Sequence, residues 1–235
     1  MGQSEISMVT YENMVQGRFL YRPNRFIAHV EIDGKEEICH VKNTGRCREL
    51  LPSGAAVWCQ KHDDPKRKTK FSLISVQKGK RCINMDSQVP NKVAGEYIAS
   101  GGLGFVPQVL QPEKKYGTSR FDFYLEDDKG CPGYVEVKGV TLEKNHVAYF
   151  PDAPTERGAR HLSELKQAKQ EGFRAFVLFI VQMEDILRLE PNWETDPAFS
   201  QALTDAKAAG VEIFAVGCKI TPETIKTAAP IEVRL

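Results

Sequence analysis

Two short segments, SRFDFYL at residues 119–125 and GYVEVKG at residues 133–139, decide how this chain is interpreted. Side chains alternate between the two faces of a β-strand, so Glu136 and Lys138 are expected on the same face of the second segment. The seven residues between the segments, 126–132, predict a hairpin turn centred on Lys129. The two segments therefore form an antiparallel pair with charges on one face.

This hairpin predicts a pair of neighbouring carboxylates. A turn centred on Lys129 places Asp122 directly opposite Glu136, with Cβ atoms about 4.5–5.5 Å apart. Like charges at that distance repel unless a cation lies between them. Because Mg²⁺ or Mn²⁺ binds oxygen ligands, we expect Asp122 and Glu136 to hold such an ion, while Lys138 orients a water that attacks a phosphodiester. The alternative is a structural salt bridge on a solvated strand face, since Glu-x-Lys is a common sequence.

The composition is that of an ordinary globular protein, with 235 residues of which 41% are apolar and 27% charged. The longest apolar run, residues 175–181, is too short to cross a membrane. The first residues lack the basic start and apolar stretch of a secretory leader. Six cysteines without a Cys-x-x-Cys pair are typical of reduced thiols. We expect a cytoplasmic protein without membrane association.

Charge is distributed unevenly, although the net charge is only +1. Residues 1–82 hold 15 Lys and Arg against 9 Asp and Glu, which is +6, and residues 83–235 hold 17 against 22, which is −5. The basic first part indicates contact with a polyanion, and the acidic second part is compatible with metal-binding carboxylates.

Periodicity predicts two domains. Strands at 15–21, 25–32, 36–41, 55–62 and 69–78, with an Asp33-Gly34 hairpin turn and one helical turn at 47–51, are typical of a five-stranded OB-type barrel spanning residues 1–84. Residues 85–235 begin with a linking helix and then alternate: strands at 106–110, 120–125, 133–142, 175–181 and 211–216, and helices at 156–171 and 197–209. This order favours an α/β sandwich with a mixed sheet. Phe121, Phe123 and Leu125 are expected to share the strand face opposite Asp122.

Two groups of residues are candidates for binding nucleic acid. In the barrel, cationic and aromatic side chains interleave and a basic loop lies before the fifth strand, as a single-strand groove requires. In the helix that follows Thr155, a predicted N-cap, one face carries further cations beside Glu164. The candidates are Arg18, Arg22, Arg25, Lys66, Arg67, Lys68, Arg157, Arg160 and His161. The alternatives are that Phe19 and Phe26 belong to the core and that the basic loop and the helix face are merely solvated.

Four blocks of the sequence resemble the sugar fermentation stimulation protein A (SfsA) family. The blocks are HVKNTGR at 40–46 with ELL at 49–51, YGTSRFD at 116–122, VEVKGVT at 135–141 and FPDAPTERG at 150–158. The resemblance implies an OB-type barrel joined to a PD-(D/E)XK nuclease-like domain, in a prokaryotic DNA-binding protein linked to regulation of sugar (maltose) utilisation.

The resemblance also implies roles for individual residues. The lone acid of the nuclease pattern corresponds to Asp122, and its second acid and lysine correspond to Glu136 and Lys138. Phe121 stands where the pattern has proline. The superfamily often adds an upstream acid, for which Glu113 is preferred as a metal ligand over Glu96, with plain surface exposure as the alternative for both.

The sequence thus supports two functions. The first is a DNA-binding, Mg²⁺- or Mn²⁺-dependent deoxyribonuclease, and the second is a non-catalytic DNA-binding transcriptional regulator on a nuclease-derived scaffold. A carbohydrate-binding barrel is a third and weaker hypothesis, disfavoured by the basic first part.

Overall fold

A computed structural model describes residues 8–43, 45 and 47–235, which form a β-barrel and an α/β sandwich. The elements are β1 (Val9–Thr10), β2 (Met14–Asn24), β3 (Ile27–Ile32), β4 (Lys35–Val41), β5 (Ala56–Lys61), β6 (Phe71–Lys78), β7 (Arg81–Asn84), α1 (Val89–Ala99), β8 (Val109–Tyr116), β9 (Ser119–Glu126), β10 (Pro132–Val140), β11 (Leu142–Lys144), β12 (Val147–Phe150), α2 (Glu156–Gln170), β13 (Arg174–Val181), β14 (Arg188–Pro191), α3 (Pro197–Ala208), β15 (Glu212–Ile220), β16 (Thr224–Pro230) and β17 (Glu232–Val233).

Five strands, β2 to β6, close the predicted barrel. Their order is β4-β3-β2-β5-β6, and a parallel pairing of β4 with β6 completes the circle. Asp33 and Gly34 both have positive φ angles, as the tight turn between β3 and β4 requires. The predicted helical turn at 47–51 is confirmed, because the backbone N–H of Leu51 donates to the Cys47 oxygen at 3.2 Å and closes a single helical turn. Thr44 and Arg46 of the first family block lie outside the described residues.

The second unit is a seven-stranded mixed sheet of order β1-β16-β15-β13-β10-β9-β8. Helix α1 packs on one face, where its Val93 and Ile98 join an apolar cluster, and α2 and α3 pack on the other. Because both faces of central β13 are covered, seven of its eight residues are buried. The fold class predicted from the sequence is therefore confirmed.

Some boundaries differ from the prediction. Strand β8 spans Val109–Tyr116, not residues 106–110, and a separate four-stranded sheet of order β11-β12-β14-β17 was not predicted. Val9 and Thr10, which the sequence assigned to the barrel, pair with β16 at the edge of the large sheet. The proposed boundary near residue 84 stays a prediction. In the described part of the chain, no helix combines the length and apolarity needed to cross a lipid bilayer.

A buried polar network joins the two units. Lys42 Nζ donates to Asp86 Oδ2 at 2.9 Å, and Asp86 also accepts from the Tyr11 hydroxyl at 3.3 Å. Gln182 Nε2, just after β13, donates to the Asn84 side-chain oxygen at 3.2 Å and to the Asp86 backbone oxygen at 3.1 Å. Because these hydrogen bonds are buried and depend on direction, they set the position of the barrel against the sheet.

We expect Asp86→Ala to lower the free energy of unfolding by about 3–5 kcal/mol, because it leaves the Lys42 ammonium half-buried without its anion. The matched control is Glu31→Ala, whose pair with Arg18 is exposed and whose loss costs less than about 1 kcal/mol. Urea denaturation measures both. Equal losses in the two variants would contradict the assigned role of the network.

Candidate functional site

The hairpin of β9 and β10 has the register that the sequence predicts. Observed pairs run from Pro132 with Glu126 to Val135 with Phe123, which is the register of a turn centred on Lys129. Continued by one step, this register would bring Asp122 opposite Glu136, but the observed pairs end at Val135 with Phe123. The two carboxylates are close enough for the charge of Glu136 to act on Asp122, and their placement directly side by side stays a prediction.

Asp122 lies at the point where β9 and β10 stop pairing. Its Oδ2 accepts a hydrogen bond from the Val137 backbone N–H at 2.8 Å, in place of a strand partner. Its Oδ1 accepts from Asn91 Nδ2 of α1, also at 2.8 Å. These two bonds fix the carboxylate in one orientation. Asn91 was not predicted, because nothing in the sequence pattern relates α1 to this strand.

The strand is irregular at this point. Phe123 belongs to the apolar cluster under α1, whereas Phe121 belongs to the cluster under α2, where its ring lies 6.0 Å from that of His161. The expectation that Phe121, Phe123 and Leu125 share one face is therefore wrong for Phe121. Alternation is interrupted at Asp122, which precedes the residues of β9 that pair with β10 and lies across from Glu113 of β8, whose φ angle is positive.

Glu136 is the most buried charged group of the site, with 3% of its surface exposed. One oxygen, Oε1, accepts from both Lys138 Nζ and His161 Nδ1, each at 2.6 Å. The other oxygen, Oε2, is buried and has no hydrogen-bond partner in the part of the chain that the structure describes. A buried carboxylate oxygen without a donor is costly, so this atom marks a place where a cationic group fits.

His161 holds Glu136 in place. Arg157 Nε of α2 donates to His161 Nε2 at 3.4 Å, which assigns the ring proton to Nδ1, the atom that faces Glu136. Because His161 is only 3% exposed, its predicted role in gripping a polynucleotide has no support in its position. The two neighbours predicted with it, Arg157 and Arg160, do lie exposed on α2, and Thr155 caps the helix as expected.

The two acids have opposite pKa shifts. Burial, followed by the negative charge of Glu136, raises the pKa of Asp122 above its ordinary value. Burial also opposes ionisation of Glu136, but the hydrogen bond from His161 and the charge of Lys138 outweigh it, so the pKa of Glu136 is lowered. The site therefore holds a stable carboxylate beside one that gains from an added cation.

Both upstream acids border the same pocket. Glu113 lies in β8 between the pairs that flank Asp122, has a positive φ of 56°, and forms an exposed ion pair with Arg120 at 3.3 Å. A cavity of about 670 Å³ is lined by Glu113, Glu96, Asp122 and Asn91, among others. Within residues 8–43, 45 and 47–235, no three His, Cys, Asp or Glu side chains converge as a metal-ligand group. Glu113 as a ligand stays a prediction.

The barrel cations predicted to bind nucleic acid have different surroundings. Arg18 is paired with Glu31 at 2.9 Å, and Arg22 donates to the backbone oxygens of Asn43 at 2.7 Å and Gly45 at 3.1 Å. Arg25 lies on the barrel surface with its guanidinium carbon 5.2 Å from the centre of the Phe26 ring.

The basic loop is a separate patch before β6. There Arg67 donates to Ser72 Oγ at 3.1 Å, and Lys66 and Lys68 are exposed. Of the two aromatic candidates, Phe19 is buried in the barrel core and Phe26 is exposed. The proposed nucleic-acid roles of these cations stay predictions.

Two protein-family models match consecutive parts of the chain. Residues 20–85 match the family described as the SfsA N-terminal OB domain, and residues 88–224 match the sugar fermentation stimulation protein RE domain.

Individual relatives cover nearly the whole chain. A sugar fermentation stimulation protein homolog of Clostridium beijerinckii is 56% identical over 92% of this chain and 95% of its own length, and one of Desulfitobacterium hafniense is 54% identical over 96% and 98%. The solved structure of Pyrococcus furiosus SfsA in complex with Ca²⁺ has a TM-score of 0.86 and 28% identity, and covers 97% of this chain and 98% of that one.

We expect Glu136→Gln to lower the free energy of unfolding by about 1–3 kcal/mol at neutral pH, measured by urea denaturation with a chelator present. Since the folded pKa of Glu136 is lowered, its stabilisation is complete above the ordinary value of 4.5 and is lost as the pH falls through the folded value. The difference between wild type and variant should therefore shrink in acid. A difference that grows in acid would contradict the assigned charge state.

Proposed function

Since this chain belongs to the sugar fermentation stimulation protein family, we propose that it binds DNA and hydrolyses phosphodiester bonds with the help of a divalent cation. One observation carries the proposal: among the residues that the structure describes, the buried Glu136 bears an oxygen without a hydrogen-bond partner, Lys138 is bonded to the same carboxylate, and the charge of Glu136 acts on Asp122. A purely structural salt bridge would leave no carboxylate oxygen unsatisfied.

The residues present fit Mg²⁺ or Mn²⁺. Asp122 and Glu136 supply hard oxygen donors, and the pKa of Asp122, raised by burial and by the charge of Glu136, reflects the cost of placing two anions together without a cation. Glu113, across the strand from Asp122, would be the third oxygen donor. When bound, such a cation stabilises the negative charge that develops on a phosphate. A relative solved with Ca²⁺ supports a site for hard cations in this family.

Lys138 and His161 prepare the site from the protein side. One N–H of the Lys138 ammonium is used by Glu136, and the remaining two are available to orient a water and to stabilise charge on the phosphate. His161 keeps Glu136 ionised and in one orientation, so little reorganisation is needed when substrate arrives. Exposed Arg160 and Arg157 on α2 would contact the phosphate backbone.

A second function, DNA binding without turnover, is favoured by a different observation. The Lys138 ammonium is close to Glu136 and mostly buried, as in a structural ion pair. In this case the family's link to sugar fermentation would rest on binding alone, and the barrel and α2 cations would carry it.

We expect the wild-type protein to nick supercoiled plasmid DNA only when Mg²⁺ or Mn²⁺ is present, and Asp122→Ala to reduce the nicking rate by at least about 100-fold, since a ligand carboxylate is lost. The matched control is Asp128→Ala, an exposed acid in the β9–β10 turn, which should nick normally. Salt-sensitive DNA binding without nicking by any of the three proteins would establish the non-catalytic function.

We expect His161→Ala to weaken Mn²⁺ binding by about 10–100-fold in calorimetric titration, because Glu136 loses the donor that orients it. His161→Asn keeps an N–H near the position of Nδ1 and should restore most of the affinity. If Ala and Asn weaken binding equally, His161 acts through packing and not through its hydrogen bond.

A further inference from the structure

Two adjoining cavities connect the barrel surface to the catalytic strand. One of about 660 Å³ is lined by Tyr21, Arg48 and neighbouring barrel residues, and one of about 370 Å³ lies between the barrel and the sheet. Arg25, Gly45 and Ala153 line both cavities. We call the continuous surface formed by the two cavities the barrel-to-sheet groove.

The barrel end of the groove presents an exposed aromatic ring. Tyr21 is 49% exposed, and its ring stacks on that of His29 with 4.2 Å between centroids and 13° between planes. Phe26, whose ring lies under the Arg25 guanidinium and is 48% exposed, is next to the groove in the chain but outside the lining of the two cavities. A ring held as Tyr21 is exposes a flat face to solvent at low entropic cost. Unpaired nucleobases stack on such faces, whereas the bases of a duplex are already stacked on each other.

The sheet end of the groove reaches the residues beside the proposed cleavage site. Its lining includes Gly139, which follows Lys138 in β10, and Thr155, the cap of the helix that carries His161. Thr141 and Ser87 add hydroxyl groups to this end. The lining is polar and suits a sugar-phosphate backbone more than an apolar ligand.

Arginine side chains stabilise and line the barrel end of the groove. The Arg22 guanidinium donates to the backbone oxygens of Arg25, Asn43 and Gly45, three residues that line the cavity between the barrel and the sheet. Arg25 and Arg48 line the barrel cavity and bring positive charge to its rim. Aromatic faces interleaved with arginines are complementary to a single strand, in which bases and phosphates alternate.

We propose that the barrel-to-sheet groove binds an unpaired stretch of single-stranded DNA, with a base stacked on Tyr21 and the backbone leading past Arg25 and Ala153 to β10. The substrate is then a single strand or a single-stranded tail and not continuous duplex. This inference rests on the proposed function, because it assigns the substrate of the same site.

Binding without chemistry tests the groove directly. Fluorescence anisotropy, with a chelator present, compares a labelled single-stranded oligothymidylate of about 12 nucleotides with a duplex of the same length. We expect the single strand to bind at least tenfold more tightly. Tyr21→Ala should weaken single-strand binding by about 5–100-fold, whereas Tyr21→Phe, which keeps the ring, and Leu187→Ala, which removes an exposed side chain outside both cavities, should bind normally. Equal affinity for duplex, or unchanged binding by Tyr21→Ala, would overturn the proposal.

Blocking the groove tests its connection to the site. Ala153→Trp fills the junction of the two cavities and should abolish Mn²⁺-dependent cleavage of the oligothymidylate while leaving Mn²⁺ affinity unchanged. The control is Ala208→Trp, an exposed alanine on α3. Normal cleavage by Ala153→Trp would contradict the proposal that the substrate reaches β10 through this groove. If the wild-type protein cleaves neither strand form, the nuclease proposal fails, and the anisotropy comparison alone decides the groove.

Discussion

The buried charge of Glu136 is the constraint around which the site is organised. A carboxylate with 3% exposure is stable only if neighbouring groups donate hydrogen bonds to it. Lys138 of the same strand and His161 of α2 are these donors. Both donate to the same oxygen, Oε1, and the other oxygen accepts no hydrogen bond from the described residues. The contact with His161 also ties α2 to the sheet, while the separate hydrogen bonds from Val137 and Asn91 orient Asp122 on the neighbouring strand.

Buried polar contacts also fix the position of the barrel relative to the sheet. The ion pair of Lys42 with Asp86 and the hydrogen bonds of Gln182 are buried, so the barrel has one preferred position on the sheet. Because of this position, the aromatic face of the barrel and the end of β10 border one groove. A barrel on a flexible tether would still bind a polyanion, but it would not direct the bound polyanion to the end of β10.

Most of the fold and the centre of the site could be predicted from local patterns. The barrel strands, the helices α2 and α3, and the register of the hairpin between β9 and β10 depend on alternation, turn residues and capping within a few positions of each other. Other features could not be predicted in this way. The pairing of β1 with β16, the bond from Asn91 to Asp122, and the burial of His161 join residues far apart in the sequence, and packing alone decides them.

The amino-acid sequence by itself determined that two strands would meet at a short turn centred on Lys129 and that Glu136 and Lys138 would lie on the same face of the second strand, because strand periodicity and turn chemistry are local properties. Only the tertiary structure decided that His161 faces Glu136 and not solvent, that Arg22 bonds to the backbone of Asn43, and that one Glu136 oxygen has no donor among the described residues. These outcomes depend on how helix, barrel and sheet exclude water from each other, and no local pattern records that exclusion.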